Sequence, residues 1–222
     1  KVKVQDTEIK AGALRPRNPV IFSSPARLLD QTFRGAELQS KEFEHFKITA
    51  AYIDSVKQRD ETQSTDLLIS KVQRRYGFQA GDQLQSSHFL YAGLDHSIGS
   101  HQSSYYYGNL HDVYQQHVLT YQRNKTEDLP LQAKVQIFRS VDQGAAQVGK
   151  IDNWNYGTLL GWSHGVNTFS AGCMLNSGDS ALPFLHGGES LVLLDSVSAD
   201  FSNKNERVWI VRYDRNFADF NL

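Results

Sequence analysis

The sequence is poor in cysteine and in methionine, each of which occurs once in 222 residues. A single cysteine excludes an internal disulfide and a cysteine-rich zinc site. No apolar run approaches the length of a membrane-spanning helix. Neither sign of charge dominates, because 23 basic residues stand against 24 acidic ones. We therefore expect neither a nucleic-acid partner nor stable insertion into a membrane.

The rest of the composition is ordinary. Hydrophobic residues make up 40% of the chain and charged residues 21%, which is typical of a soluble globular protein of one large or two small domains. The chain begins at Lys1 and no charged and apolar leader follows. We therefore expect either a processed mature form or a trimmed piece, from which any export signal would already be missing. Localisation has to be inferred from function.

The N-terminal part carries helix signals. Ser24-Pro25 is typical of a helix start, and we expect that helix to reach about residue 33. Apolar residues recur at three- and four-residue spacing over 41–58 and again over 65–76, which predicts two further helices. Residues 1–80 are therefore expected to form a mainly helical region of unknown role.

The pattern changes beyond residue 80. Short apolar or alternating runs predict strands at 88–92, 131–137, 158–163, 190–194 and 207–213. One further helix is expected from Asn109 to about Tyr121. The expected fold class is α+β, with a β-rich domain over 81–222.

The lone cysteine, Cys173, lies nine residues after His164. A reactive cysteine needs a base, exposure and nearby hydrogen-bond donors. We expect His164 at a strand end to take the proton of the Cys173 thiol, with Ser163 or Ser170 orienting the imidazole. Small residues beside the sulfur are expected to position the substrate and supply an oxyanion hole from backbone amides. These are Ser170, Ala171 and Gly172.

The order of these residues resembles the L,D-transpeptidases, the YkuD-like family. Their signature is a His-Gly at a strand end followed by Ser/Thr-His-Gly-Cys, and the matching pieces here are His164-Gly165 and Ser170-Ala171-Gly172-Cys173. Residues 176–182 resemble the family's short helix, and 187–194 resemble its closing strand. The chain departs from the pattern at Ala171, which replaces the second histidine, and at Leu175, which replaces an arginine.

The resemblance implies a cysteine acyl-transfer enzyme, an L,D-transpeptidase or an L,D-carboxypeptidase. Its partners would be peptidoglycan stem peptides, bound through a thioester on Cys173. It would need no metal and no cofactor, and it would work in the periplasm or outside the cell. A toxin or phage lysin of the same chemistry fits equally well, and a toxin would add an immunity protein as partner.

Two other functions are compatible with a single cysteine. The first is a non-catalytic module that binds cell wall or protein and buries Cys173 as a structural residue. The second is a papain-like protease, which the order His then Cys excludes. Histidines and aspartates also concentrate between residues 95 and 117, but their spacing fits no zinc pattern, and we assign no metal site. They are His96, His101, His111, His117, Asp95 and Asp112.

Overall fold

The structure is a computed structural model that describes residues 1–23, 29–70, 78, 85–188, 192–194 and 201–217. The described residues form thirteen β-strands and no helix. The strands are β1 (Val2–Val4), β2 (Thr7–Leu14), β3 (Arg17–Asn18), β4 (Ile21–Phe22), β5 (Thr32–Ser40), β6 (Phe46–Lys57), β7 (Phe89–Ile98), β8 (His101–Leu110), β9 (Tyr114–Arg123), β10 (Leu131–Asp142), β11 (Asp152–His164), β12 (Asn167–Gly178) and β13 (Arg207–Arg215).

Eleven strands form one antiparallel sheet in the order β1-β2-β5-β6-β7-β8-β9-β10-β11-β12-β13. Each of these strands pairs with the next sheet strand along the chain. The remaining two, β3 and β4, make a small hairpin that lies between β2 and β5 in the sequence. The sheet is therefore a continuous meander with regular antiparallel register.

The two faces of the sheet differ, because successive side chains of a strand point to opposite sides. In β7, Phe89 and Tyr91 are buried, whereas Leu90 and Leu94 are each 41% exposed. We call the face of Phe89 the inner face and that of Leu90 the outer face. The inner face carries the core of the molecule, which includes Phe33, Ile53, Leu110, Val118 and Phe138.

Connections differ in length at the two ends of the sheet. At one end, residues 5–6, 99–100 and 165–166 make two-residue turns. At the other end, the connections 15–31, 58–88 and 179–206 are long. We call these the short-turn end and the long-loop end. The described parts of the long connections fold onto the inner face, where they complete the core with Val20, Ile21, Leu67, Ile69, Leu182 and Leu185.

Amide side chains of the inner face hold these folded-in segments by hydrogen bonds to their backbone carbonyls. The contacts run from Gln116 Nε2 to Pro183 O (3.1 Å), from Asn153 Nδ2 to Ser180 O (2.9 Å) and from Asn176 Nδ2 to Phe201 O (2.8 Å). Buried carbonyls of irregular backbone need such partners. The polar residues of these strands are therefore what allows the long connections to lie against the sheet.

Charged groups join the loops at the long-loop end. Lys150 Nζ lies 3.0 Å and Lys204 Nζ 3.6 Å from the carboxylate of Asp179. The hydrogen bond from Lys150, with the charge of both lysines, holds the pKa of Asp179 below its ordinary value. The pair therefore persists until the pH falls through that lowered pKa. Both partners are exposed, so the pair contributes little to the free energy of unfolding.

The α+β fold class and its helices are wrong. Residues 46–57 form β6, and 109–121 form the end of β8, a turn and most of β9. Residues 65–70 make isolated bridges, and 24–28 and 71–77 lie outside the described residues. The physical reason is that both faces carry apolar side chains. Outward Ala50 and inward Ile53 in β6 together imitate the spacing of a helix.

Most of the predicted strands are confirmed. Residues 89–92, 131–137, 158–163 and 207–213 lie within β7, β10, β11 and β13. Residues 192–194 are not in a strand, and 190–191 lie outside the described residues.

Residues 176–182 begin as the end of β12 rather than as the expected helix. The division of the chain at residue 80 stays a prediction, although β6 pairs directly with β7 across it.

Burial predicts the effect of removing one inner-face ring. Phe138 is 1% exposed, and Phe43 in the turn after β5 is 62% exposed. We expect Phe138→Ala to lower the free energy of unfolding by about 3–5 kcal/mol through a cavity in the core. The matched Phe43→Ala should lower it by less than about 0.5 kcal/mol. Thermal unfolding of both variants measures this, and equal effects would contradict the assigned inner face.

Candidate functional site

The residues expected to be catalytic are divided between the two faces. Backbone pairing places His164 opposite Asn167 and Cys173 opposite Thr158, in the neighbouring strands β11 and β12. Because side chains alternate along a strand, three of the six expected site residues point to the outer face and three to the inner face. His164, Ala171 and Cys173 point outward, and Ser163, Ser170 and Gly172 point inward.

The structure does not bring His164 and Cys173 together. Cys173 lies six positions along β12 from Asn167, the pairing partner of His164. Six positions of a strand span roughly 20 Å. The His164 ring stacks on Trp162 at 5.6 Å. A proton cannot pass directly between groups that far apart, because general-base catalysis needs hydrogen-bond contact.

The other expected partners are engaged elsewhere. Ser163 Oγ lies 3.0 Å from Thr168 Oγ1 and accepts a hydrogen bond from Lys125 Nζ. Strand β12 is paired on both sides, with β11 and with β13. Its backbone N–H groups at Ala171 and Gly172 are therefore used within the sheet. No oxyanion hole forms around the sulfur.

The principal concavity lies on the inner face toward the short-turn end. Its volume is about 820 Å³. Side chains of β6 to β10 make its wall, and Pro19, Val192 and Leu193 of the folded-in segments roof it. The wall residues are Lys47, Asp95, Gln102, Ser104, Thr120, Gln122, Lys134 and Gln136. A cavity of this size with a polar, charged wall suits small hydrophilic solutes.

One part of the wall is an ordered charge pair. Tyr106 OH donates a hydrogen bond of 2.7 Å to Asp95 Oδ2, and Lys47 Nζ lies 3.5 Å from the same oxygen. The Tyr106 ring lies across Gly93, where an added Cβ would fall 2.1 Å from a ring carbon. The glycine thus lets the ring lie flat on the sheet and fixes the direction in which Asp95 points.

The opposite part of the wall carries an uncompensated positive charge. Lys134 is flanked on the inner face by Gln132 and Gln136, and it lines the cavity. Over the described residues, no carboxylate lies within ion-pair distance of its ammonium group. An anion in the cavity therefore meets Lys134, and it also meets Lys41, which lines the cavity from the turn after β5 and forms no ion pair among the described residues.

The outer face is apolar and exposed. Side chains that would be buried in a soluble protein are accessible here, among them Leu119, Leu160, Trp162, Phe169, Trp209 and Val211. Aromatic rings gather near both ends of the strands. Trp162 and Phe169 stack at 6.1 Å near the short-turn end, and Trp154 and Tyr156 stack at 5.5 Å toward the long-loop end. An exposed apolar surface of this extent requires an apolar environment.

The histidines considered for a metal lie mainly on this outer face. His101 Nδ1 is 2.8 Å from Tyr121 OH, and His117 Nδ1 is 2.7 Å from Tyr105 OH. Their ring nitrogens are thus partnered by tyrosines in neighbouring strands. Among the described residues, no three His, Cys, Asp or Glu side chains converge as metal ligands.

Within the described part of the chain, no helix has both the length and the apolar character needed to cross a membrane.

Comparison with known proteins identifies the family. A model of the outer membrane porins of the OprD family matches residues 1–222. The chain belongs to that family. Its place is therefore the cell envelope, and the expected periplasmic or extracellular location is right only to that extent.

Individual relatives support the same family assignment. Porin D of Pseudomonas aeruginosa is 29% identical over 100% of this chain and 51% of its own length. The structure of OccAB3 from Acinetobacter baumannii is 33% identical, with a TM-score of 0.91, over 98% of this chain and 54% of that one. The structure of OpdK from Pseudomonas aeruginosa with vanillate is 30% identical, with a TM-score of 0.88, over 99% of this chain and 57% of that one. The chain thus spans about half the length of these relatives.

These findings overturn the predicted function. Porins are channels and not enzymes, so the L,D-transpeptidase resemblance and the acyl-transfer reaction are wrong. The predicted partners, peptidoglycan stem peptides and an immunity protein, are wrong as well. The alternative of a module that binds cell wall or protein is also wrong. The expectation of no stable membrane insertion is wrong as well. The exposed apolar face explains that error, because strands can enter a membrane without any long apolar run.

The wall residues Lys47, Asp95 and Lys134 were not singled out from the sequence. A signal for Lys134 was present. In β10, Gln132, Lys134 and Gln136 alternate with apolar residues over 131–137. The strands of membrane channels show this alternation with the polar side facing inward.

Two adjacent residues of β9 test the assignment of the faces. Leu119 points outward and is 52% exposed, and Thr120 points into the cavity. We expect Leu119→Arg to lower the free energy of unfolding from phospholipid vesicles by about 2–4 kcal/mol, because its charge would lie in hydrocarbon. Thr120→Arg, at the same depth, should be tolerated. Denaturant titration of vesicle-folded protein measures both, and a larger cost for Thr120→Arg would reverse the faces.

Proposed function

We propose that this chain forms part of the wall of an outer-membrane channel for small organic anions. The observation that carries the proposal is the pairing of an exposed apolar outer face with a polar inner cavity. In a membrane such a sheet is stable only when every strand edge is paired, as in a closed β-barrel. Completion of the barrel by strands beyond those described here is part of the proposal.

The dimensions of the outer face support a membrane-spanning role. Trp154 and Trp162 both point outward from β11, eight residues apart, or roughly 27 Å along the strand. With the usual tilt of the strands, this separation fits an apolar band about 25 Å tall between two aromatic girdles. The outward residues between them are Tyr156, Thr158 and Leu160.

The connections suggest an orientation. Barrels of the outer membrane have short turns on the periplasmic side and longer loops outside the cell. We therefore propose that the short-turn end faces the periplasm and the long-loop end faces the exterior. The 820 Å³ cavity then opens toward the periplasm, beneath the folded-in segments.

The preference for anions rests on Lys134 and on one relative. Vanillate, with which OpdK was solved, is a small aromatic carboxylate. In this chain the ammonium group of Lys134 faces the cavity without a carboxylate partner among the described residues. Lys47 is already paired with Asp95. An entering carboxylate is thus attracted by Lys134 and by Lys41, which lines the same cavity without an ion pair among the described residues.

Uptake of a charged and a neutral solute of the same size tests this function. Liposomes that contain the protein should admit vanillate faster than vanillyl alcohol. We expect Lys134→Gln to lower vanillate entry about fivefold, since a contact pair in a wet cavity is worth about 1 kcal/mol. Entry of vanillyl alcohol should stay unchanged.

The control is Lys150→Gln, which removes a lysine that is paired with Asp179 outside the cavity. It should leave both rates unchanged. Liposomes that contain the complete barrel and admit neither solute faster than protein-free liposomes would contradict the channel itself. Equal loss of both solutes in Lys134→Gln would contradict the charge selectivity and leave the channel intact.

A further inference from the structure

We infer that two glycines of the sheet, Gly108 and Gly157, set the width of the passage by the depth to which the folded-in segments settle on the wall. This inference rests on the proposed channel. Gly108 lies in β8 beneath Val20, and Gly157 lies in β11 beneath Leu193. Neighbours of both contacts, Pro19 and Val192, roof the cavity.

The contacts are closer than any side chain permits. A Cβ added at Gly108 would lie 2.9 Å from both Val20 Cβ and the Phe89 ring, and one added at Gly157 would lie 2.8 Å from Leu193 Cβ. Carbon atoms settle at about 3.5–4.0 Å. A Cβ is one bond from its backbone and cannot rotate away. The segment itself would therefore have to retreat from the wall by roughly 0.6 Å or more.

Backbone conformation does not require glycine at either position. Neither residue is among the glycines with positive φ, and both lie in regular ladder pairs, Gly108 with Gln116 and Gly157 with Gln136. An alanine would fit these backbone angles. Close approach is thus the physical reason for the missing side chains: Val20 and the Phe89 ring lie against Gly108, and Leu193 lies against Gly157.

The segment above Gly108 is stiff enough to transmit a displacement. Asn18 Oδ1 accepts hydrogen bonds of 3.1 Å from both Val20 N and Ile21 N, and Ser23 N donates to Pro16 O at 2.9 Å. These bonds tie the β3–β4 hairpin into one unit. A methyl group that lifts Val20 therefore also moves Pro19 into the cavity.

A matched control lies in the same strand as Gly157. Gly161 also points inward, four residues farther along β11, and its added Cβ would meet mainly the side chain of Gln132, whose amide nitrogen is the nearest atom at 2.5 Å. Such a flexible side chain turns aside without moving a backbone. Gly161→Ala therefore adds the same methyl group to the same face without lifting a folded-in segment.

Single-channel recording in planar bilayers measures the effect. We expect Gly108→Ala and Gly157→Ala each to lower the conductance of a single open channel, and the double variant to lower it most. Gly161→Ala should conduct like the wild type. Conductance per channel does not depend on how much protein folds, so mere destabilisation would reduce the number of channels and leave this value unchanged.

Crystal structures of the same variants separate this inference from the proposed function. The Cα of Val20 in Gly108→Ala, and that of Leu193 in Gly157→Ala, should move away from the wall by roughly 0.6 Å or more. Unmoved segments, or conductances equal to that of Gly161→Ala, would overturn the inference. A wild-type protein that conducts nothing while the segments still move would instead contradict the channel.

Discussion

The structure depends on the pairing of its backbone. A backbone N–H or C=O left without a partner in hydrocarbon costs several kcal/mol, and no water is there to replace the partner. The antiparallel ladder meets this demand for the strands between β1 and β13, and closure of the proposed barrel would meet it for the free edges of those two strands. Side chains are then free to follow their surroundings. Leu119 faces outward and its neighbour Thr120 faces inward, and each matches the environment on its own side.

Strands were predictable from sequence where one face dominates the pattern. Residues 131–137 alternate clearly and lie in β10. The pattern over residues 41–58 and 109–121 wrongly predicts helices, because inward Ile53 and Val118 add to the outward apolar residues of the same strands. A rule that places apolar side chains inside fails for a protein whose outside is also apolar. Neither the charge balance nor the single cysteine indicates that the outer surface is apolar.

The site was harder to foresee than the strands. Lys47, Asp95 and Lys134 come from β6, β7 and β10, and only the order of the sheet brings them around one cavity. The sequence predicts His164 and Cys173 to be a catalytic pair because they are close in sequence. In adjacent antiparallel strands, however, residues nine positions apart meet only if the turn lies midway between them. Here the turn at Gly165-Val166 follows His164 at once, which leaves the cysteine far along the next strand.

The meander order of the sheet also bears on how such a protein can change in size. Each sheet strand touches only its predecessor and its successor in the sheet order, so a hairpin is a self-contained unit of construction. Duplication or loss of one hairpin would alter the circumference of the proposed barrel and leave the register of every other pair as it was. The contacts are also mostly between segments near in sequence, which favours growth of the sheet one hairpin at a time. Because each strand pairs only with its neighbours, the diameter of the proposed barrel can change in evolution by the gain or loss of single hairpins.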